Sequence, residues 1–98
     1  MNIQDKYLSI LSQIFRQVCP KVTVLAYGSR VTGDSHQGSD LDLAIKNVTI
    51  SEIATLKDAI YQSNIPFLVD IHQYESLPDR FKTKIDKECV VIYDVTTD

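Results

Sequence analysis

The pattern of apolar and polar positions divides the chain into helical and extended segments. From Ile3 to Val18, apolar residues recur at helical spacing with polar residues between them, which predicts an amphipathic helix that ends at Pro20. Two further helices are predicted, one over residues 47–64 and a last one from about residue 76 to residue 87.

Both later helices carry signals at their starts. Thr49 and Glu52 have the spacing of a capping box, in which each side chain accepts a hydrogen bond from the other residue's backbone N–H. Pro78 suits the start of the last helix, in which Phe81 and Ile85 are expected to face the interior. Each helix is therefore predicted to bury one apolar side.

Four short apolar segments have the composition of β-strands, because they are rich in β-branched residues and bounded by turn-forming ones. They are KVTVLAY (21–27), SDLDLAI (39–45), FLVDIHQY (67–74) and CVVIY (89–93). The last is expected to be an edge strand or an extended end, followed by a loose tail from about residue 94. Between the first two strands, residues 30–38 are predicted to form a short helical turn and a loop.

The order of these segments predicts an α+β fold of the mixed α/β type. We expect a small mixed β-sheet with helices packed mainly on one face. The length of 98 residues suits one domain, residues 1–98, with a modest core.

The composition narrows the class of protein. Hydrophobic residues make up 44% of the chain and charged residues 23%, which is ordinary for a globular protein. Since there is no membrane-spanning tract and no signal-like N-terminal segment, we expect a cytoplasmic protein that does not bind membranes. The net charge of −3 argues against general nucleic-acid binding. Cys19 and Cys89 are isolated in the sequence, which favours buried reduced thiols over a zinc site.

Three aspartates lie inside otherwise apolar strands, where an unpaired charge is costly. Residues i and i+2 of a strand share a face, so Asp40 and Asp42 are expected to point the same way. Asp70 lies in the next apolar segment, and pairing of these two strands would bring the three carboxylates together. Each Asp taken singly suits a capping or surface position, but the joint pattern favours a metal site.

Cations are the simplest way to hold three such carboxylates together, because the negative charges would otherwise repel one another. Mg²⁺ prefers oxygen ligands and often combines a few carboxylates with the phosphates of a substrate. Two such ions can clamp the attacking and leaving oxygens of a phosphoryl displacement. We therefore predict that Asp40, Asp42 and Asp70 bind Mg²⁺, with two ions expected and Mn²⁺ as the alternative metal.

A Gly-Ser turn follows the first strand and is a candidate phosphate site. Gly28 has no Cβ, so backbone N–H groups can come close to a ligand, and Ser29 would begin the helical turn with its hydroxyl and free amides. Taken alone, the dipeptide is better explained by Ser29 as an N-cap. Arg30 is either a phosphate contact or a solvated charge.

The segment GSRVTGDSHQGSDLDLAI (28–45) resembles the signature of the nucleotidyltransferase superfamily related to DNA polymerase beta, in its minimal (MNT) form. The family pattern is Gly-Ser, ten residues, then Asp-x-Asp, and residues 30–39 separate Ser29 from Asp40 without a gap. The pattern has a third carboxylate on a later strand, which Asp70 in FLVDIH matches. The resemblance covers almost the whole chain.

This resemblance implies roles for the residues of both motifs. Asp40 and Asp42 would hold the metal ions, and Asp70 would help to activate an acceptor hydroxyl. A nucleoside triphosphate, expected to be ATP, would be bound at the turn formed by Gly28, Ser29 and Arg30.

Minimal members of this family resemble the antitoxin half of bacterial pairs whose partner is a helical HEPN-type toxin. In active members AMP is transferred from ATP to a tyrosine hydroxyl of that partner, which inhibits a toxic RNase. The resemblance therefore implies a Mg-dependent nucleotidyltransferase, a protein adenylyltransferase, that acts as an antitoxin. Two alternatives stay open: a non-catalytic module that binds a nucleotide or a helical partner, and a D-x-D site for sugar-nucleotide transfer, for which the chain is very short.

Other residues near these motifs have simpler interpretations. His36 is expected to be exposed in the polar loop, and Tyr27 and Tyr93 are expected to be packing residues. His72 shares the strand face of Asp70, where it either tunes the site or lies at its rim.

Overall fold

The helices and strands follow the predicted order. The computed structural model describes residues 3–28, 31 and 40–95 of the chain. The elements are α1 (Asp5–Val18), β1 (Thr23–Tyr27), β2 (Leu41–Lys46), α2 (Ile50–Gln62), β3 (Val69–Gln73), a 3-10 turn (Tyr74–Ser76), α3 (Asp79–Lys87) and β4 (Val90–Tyr93). Of the segment predicted as a helical turn and loop, all but Val31 lies outside the described residues.

The four strands form one mixed sheet in the order β3-β2-β1-β4. Strand β1 is antiparallel to both β2 and β4, whereas β2 and β3 are parallel. Two parallel neighbours need a crossover, and α2 supplies it between β2 and β3. The predicted mixed sheet is confirmed, with β4 at one of its edges.

The larger core lies between the sheet and the helices α1 and α2. Leu11 and Phe15 of α1 and Leu56 of α2 are fully buried there, together with Leu41 and Leu43 of β2. These side chains leave water completely, so this face accounts for most of the hydrophobic stabilisation of the fold. Tyr93 of β4 is also buried here, and its hydroxyl donates to the carbonyl of Pro20 at 3.0 Å, which confirms it as a packing residue.

The second face of the sheet has a smaller core under α3. Ile85 packs there against Leu25 and the fully buried Ala44. Helices thus pack mainly on one face, as predicted. The expectation that Phe81 faces inward is wrong, because 43% of its side chain is exposed. It lies in the first turn of a nine-residue helix, whose buried contact is made by Ile85 one turn later.

Two further sequence expectations concern cysteines and membranes. Both cysteines are free thiols, but only Cys19 is buried as expected, since Cys89 is half-buried. Burial raises the pKa of Cys19 to about 11, with Glu52 adding to the shift. The thiol of Cys19 is therefore protonated at neutral pH and unreactive. Among the helices of the described residues, none has the length and apolar character needed to cross a membrane.

The capping box at the start of α2 is present. Thr49 Oγ1 accepts a hydrogen bond from the Glu52 backbone N–H at 3.1 Å, and Glu52 Oε1 accepts one from the Thr49 backbone N–H at 2.9 Å. Thr49→Ala is expected to lower the free energy of unfolding by about 1 kcal/mol, because a helix N–H loses its partner. Urea unfolding measures this loss.

Thr55→Ala is the matched control for that change. Thr55 lies inside the same helix, and its Oγ1 donates only to the carbonyl of Ser51 at 3.2 Å. Since alanine is the better helix former, this variant is expected to keep or slightly gain stability. Equal losses in the two variants would contradict the capping role of Thr49.

Candidate active site

The strand register places three polar side chains in one row across the sheet. Asp42 of β2 lies opposite Asp70 of β3 on one side and opposite Tyr27 of β1 on the other. Neighbouring strands are about 4.8 Å apart, so residues directly opposite one another are in close reach. The pairing of the two aspartate-bearing strands, which the convergence of the carboxylates required, is therefore present.

The side chains of β2 alternate between the two faces of the sheet, as predicted. Leu41 and Leu43 are fully buried in the larger core, whereas Asp42 points to the other face and is half-buried. Asp40 is exposed and immediately precedes β2. Asp40 and Asp42 are two residues apart in extended backbone. They lie close enough for the charge of Asp40 to raise the pKa of Asp42.

The carboxyl of Asp42 lies in an unfavourable environment for a negative charge. Burial raises the pKa of Asp42 above its ordinary value, and the nearby carboxylates of Asp70 and Asp40 raise it further, while His72 acts in the opposite direction. Like charges that are held together by the fold are typical of sites where a cation or a reaction uses them.

Gly28 brings the backbone of the turn directly against Asp42. Its φ of +84° lies in the region that favours glycine. A Cβ at this position would lie 3.3 Å from Cγ of Asp42 and still closer to its Oδ2, in a direct collision. The Val31 backbone N–H donates to the Gly28 carbonyl at 3.0 Å, which closes the turn.

The structure describes one of the three residues that are predicted to contact the nucleotide. Gly28 is described and adjoins the carboxylates, whereas Ser29 and Arg30 lie outside the described residues, as does His36. The roles of Ser29 and Arg30 therefore stay predictions from the sequence.

Asp70 and His72 form a close pair on the exposed part of this face. Nε2 of His72 lies 3.2 Å from Oδ2 of Asp70, and their side chains are 39% and 56% exposed. Residues i and i+2 of β3 share a face, which is why the ring reaches the carboxylate. The sequence placed His72 on this face but did not show the contact.

Tyr27 packs against the smaller core, which confirms it as a packing residue, and it also borders the site opposite Asp42. Burial raises the pKa of its hydroxyl to about 12, and the charges of Asp42 and Asp70 contribute to this shift. Its position opposite the second Asp of D-x-D depends on the register of β1 against β2, which the sequence pattern of either strand does not specify.

The donor set fits a hard divalent cation in chemistry, since carboxylate oxygens are the ligands that Mg²⁺ and Mn²⁺ prefer. However, no three His, Cys, Asp or Glu side chains in the described parts of the chain are grouped closely enough to hold one ion. The three aspartates are neighbours without forming a ready cage.

Comparison with known proteins identifies the class to which this site belongs. The family model described as "Polymerase beta, Nucleotidyltransferase" matches residues 10–98. The chain belongs to this family and is a nucleotidyltransferase, which confirms the resemblance seen in the motifs. Nucleotidyltransferases of this family generally use divalent metals.

Two particular proteins are similar to this chain. The "Probable protein adenylyltransferase MntA" of Haemophilus influenzae (strain ATCC 51907 / DSM 11121 / KW20 / Rd) is 36% identical over 95 residues, which cover 94% of this chain and 83% of that protein. A structure described as "Crystal structure of the toxin-antitoxin with AMP-PNP" superposes with a TM-score of 0.73 at 18% identity, over 93% of this chain and 76% of that one. At this identity the second similarity shows the fold.

Proposed function

We propose that this nucleotidyltransferase moves AMP from ATP onto a hydroxyl group of a partner protein and thereby acts as an antitoxin. The observation that carries the proposal is the contact between the Gly28 turn and Asp42, with Asp70 next to Asp42 in the register. A triphosphate bound at the turn would lie beside all three carboxylates. The similarity to a protein adenylyltransferase supports AMP as the transferred group and a protein as the acceptor.

In the proposed reaction the acceptor oxygen forms a bond to the α-phosphorus of ATP. The bond from that phosphorus to the oxygen bridging the β-phosphorus breaks, and pyrophosphate leaves. Asp70 takes the hydroxyl proton, since it is the carboxylate farthest from the turn across the row. Holding the reactants in line provides much of the rate.

Asp40, Asp42 and Asp70 would hold the divalent metal, with Mg²⁺ in two positions proposed and Mn²⁺ as the alternative. When bound, the metal neutralises charge on the triphosphate and on the leaving pyrophosphate. The raised pKa of Asp42 supports this role, because a cation would remove the repulsion that raises it.

For the partner we propose a helical HEPN-type toxin whose tyrosine hydroxyl accepts AMP. The similar toxin-antitoxin structure, described with AMP-PNP, supports a nucleotide and a toxin in this role. Reduced cysteines and a need for ATP are compatible with action in the cytoplasm.

The direct test is incubation with ATP, Mg²⁺ and the protein encoded beside this chain, followed by mass spectrometry. The expected result is one or more AMP additions to a tyrosine of that protein. ATP with a methylene group between the α- and β-phosphorus is the control, because the bond that must break is replaced. The absence of AMP from every protein present, with ATP and Mg²⁺ or Mn²⁺ supplied, would contradict the proposal.

A non-catalytic binding module is the second candidate, and one observation favours it. Tyr61 and Leu68 are 83% and 72% exposed, and they line a groove of about 360 Å³ between α2 and the start of β3. Exposed apolar side chains around a groove are typical of protein-binding surfaces.

Two variants separate the candidates in a growth assay with the toxin. If the chain is an enzyme, Asp42→Asn is expected to lose neutralisation, because transfer stops. If the chain only binds, Asp42→Asn keeps neutralisation and Leu68→Ser weakens it, because an apolar contact is lost. Pull-down of the toxin by both variants shows whether binding itself has changed.

A further inference from the structure

The pair formed by His72 and Asp70 is a defined contact beside the proposed acceptor site. Nε2 of His72 lies within hydrogen-bond distance of Oδ2 of Asp70, at 3.2 Å. The ring is the less exposed of the two side chains, with 39% exposure against 56% for the carboxylate. In the register His72 lies opposite Ala44, which is fully buried.

Asp70 would be poorly oriented without this ring. Its carboxylate is 56% exposed, and the ring of His72 lies 3.2 Å from one of its two oxygens. An exposed aspartate rotates readily about its side-chain torsions. A carboxylate that must accept a proton from one acceptor oxygen needs a fixed direction.

We propose that His72 is a positioning residue for Asp70. Its Nε2–H donates to Oδ2, so that Oδ1 is the oxygen left to accept the proton of the acceptor hydroxyl. His72 does not touch the reacting groups in this arrangement, and it acts through Asp70 alone. The inference rests on the proposed function, because it assigns a purpose to the orientation of Asp70 in transfer.

The kinetic test compares two substitutions of His72. His72→Leu removes the donor, whereas His72→Gln keeps an N–H at a similar distance from the backbone. His72→Leu is expected to lower kcat by about 10- to 100-fold, the usual effect of losing a residue that orients a ligand. The KM for ATP is expected to stay the same, because the triphosphate is held at the Gly28 turn. His72→Gln is expected to recover most of kcat.

A spectroscopic readout is independent of transfer. Nitrogen-15 NMR, recorded over a pH series, is expected to show that the neutral form of His72 carries its proton on Nε2, and Asp70→Ala is expected to change that state. A proton found on Nδ1 in the wild type would overturn the proposal. Loss of the Nε2 proton when Mg²⁺ is added would also overturn it, because His72 would then be a metal ligand.

The outcomes distinguish this inference from the proposed function. If the wild type transfers AMP and His72→Leu has an unchanged kcat, the positioning role fails and the proposed function stands. The positioning role also fails, and the proposed function also stands, if His72→Gln changes kcat as much as His72→Leu does while both variants keep the fold. If the wild type transfers nothing while the NMR result is as expected, the proposed function fails and the positioning role in catalysis fails with it.

Discussion

Asp42→Asn is expected to abolish nucleotide transfer while the chain stays folded. The substitution keeps the shape of the side chain and removes a charge that lies between Asp40 and Asp70. Without it, the proposed metal site loses its central ligand, and we expect a loss of rate of about 10³-fold or more. Transfer of labelled AMP, measured over a range of Mg²⁺ and ATP concentrations, provides the comparison.

Asp42→Asn is also expected to affect the stability of the fold, and the raised pKa of Asp42 gives the direction of the effect. The pKa of Asp42 is raised in the folded state, chiefly by burial and then by Asp70 and Asp40. When the pKa of a carboxyl is raised by folding, its protonated form adds to the free energy of unfolding. This contribution is fully present below the ordinary pKa of 3.8 and is lost as the pH rises through the folded-state pKa. At pH 7 the ionised group therefore lowers the free energy of unfolding.

Urea unfolding at pH 7 should consequently find Asp42→Asn at least as stable as the wild type. The stability of the wild type should decrease between pH 4 and pH 7 more than that of the variant. Mg²⁺ should raise the stability of the wild type at pH 7 and not that of the variant, since the proposed metal site is complete only in the former. Asp58→Asn, an exposed change on α2, is the control for removing a charge. Transfer at the wild-type rate by Asp42→Asn would disprove the assigned mechanism.

Much of this site was readable from the sequence because strands have a period of two. The alternation of Asp40, Leu41, Asp42 and Leu43 fixed which side chains face the core, and the burial of both leucines confirms it. The order of the elements and the apolar spacing were likewise enough for the α+β fold. Each of these inferences depends on local pattern alone, which a single sequence records.

The parts that could not be predicted depend on contacts between distant segments. The row of Tyr27, Asp42 and Asp70 needs the register of three strands, which no local pattern specifies. The pairing of His72 with Asp70 depends on side-chain torsions. The exposure of Phe81 depends on how far α3 extends over the sheet, which its own amphipathic spacing does not reveal.

Gly28→Ala is expected to damage both the fold and the site. With φ at +84°, a Cβ costs about 1–2 kcal/mol in backbone strain. The added Cβ would also collide with Oδ2 of Asp42, so this carboxylate must move. Since a displacement of about 1 Å at a reacting centre can cost about 100-fold in rate, we expect transfer to fall by at least that factor.

Asn47→Ala is the matched control, because Asn47 also has a positive φ, of 67°, and lies at the end of β2 away from the carboxylates. It is expected to lose about 1 kcal/mol of stability, because alanine tolerates a positive φ less well than asparagine and the side-chain amide no longer donates to the Lys21 carbonyl at 3.4 Å, and to transfer AMP at the wild-type rate. Urea unfolding and the transfer assay, run on both variants, separate strain from collision. If Gly28→Ala retained full transfer while losing as much stability as Asn47→Ala, the close packing of the turn against Asp42 would have no part in the reaction.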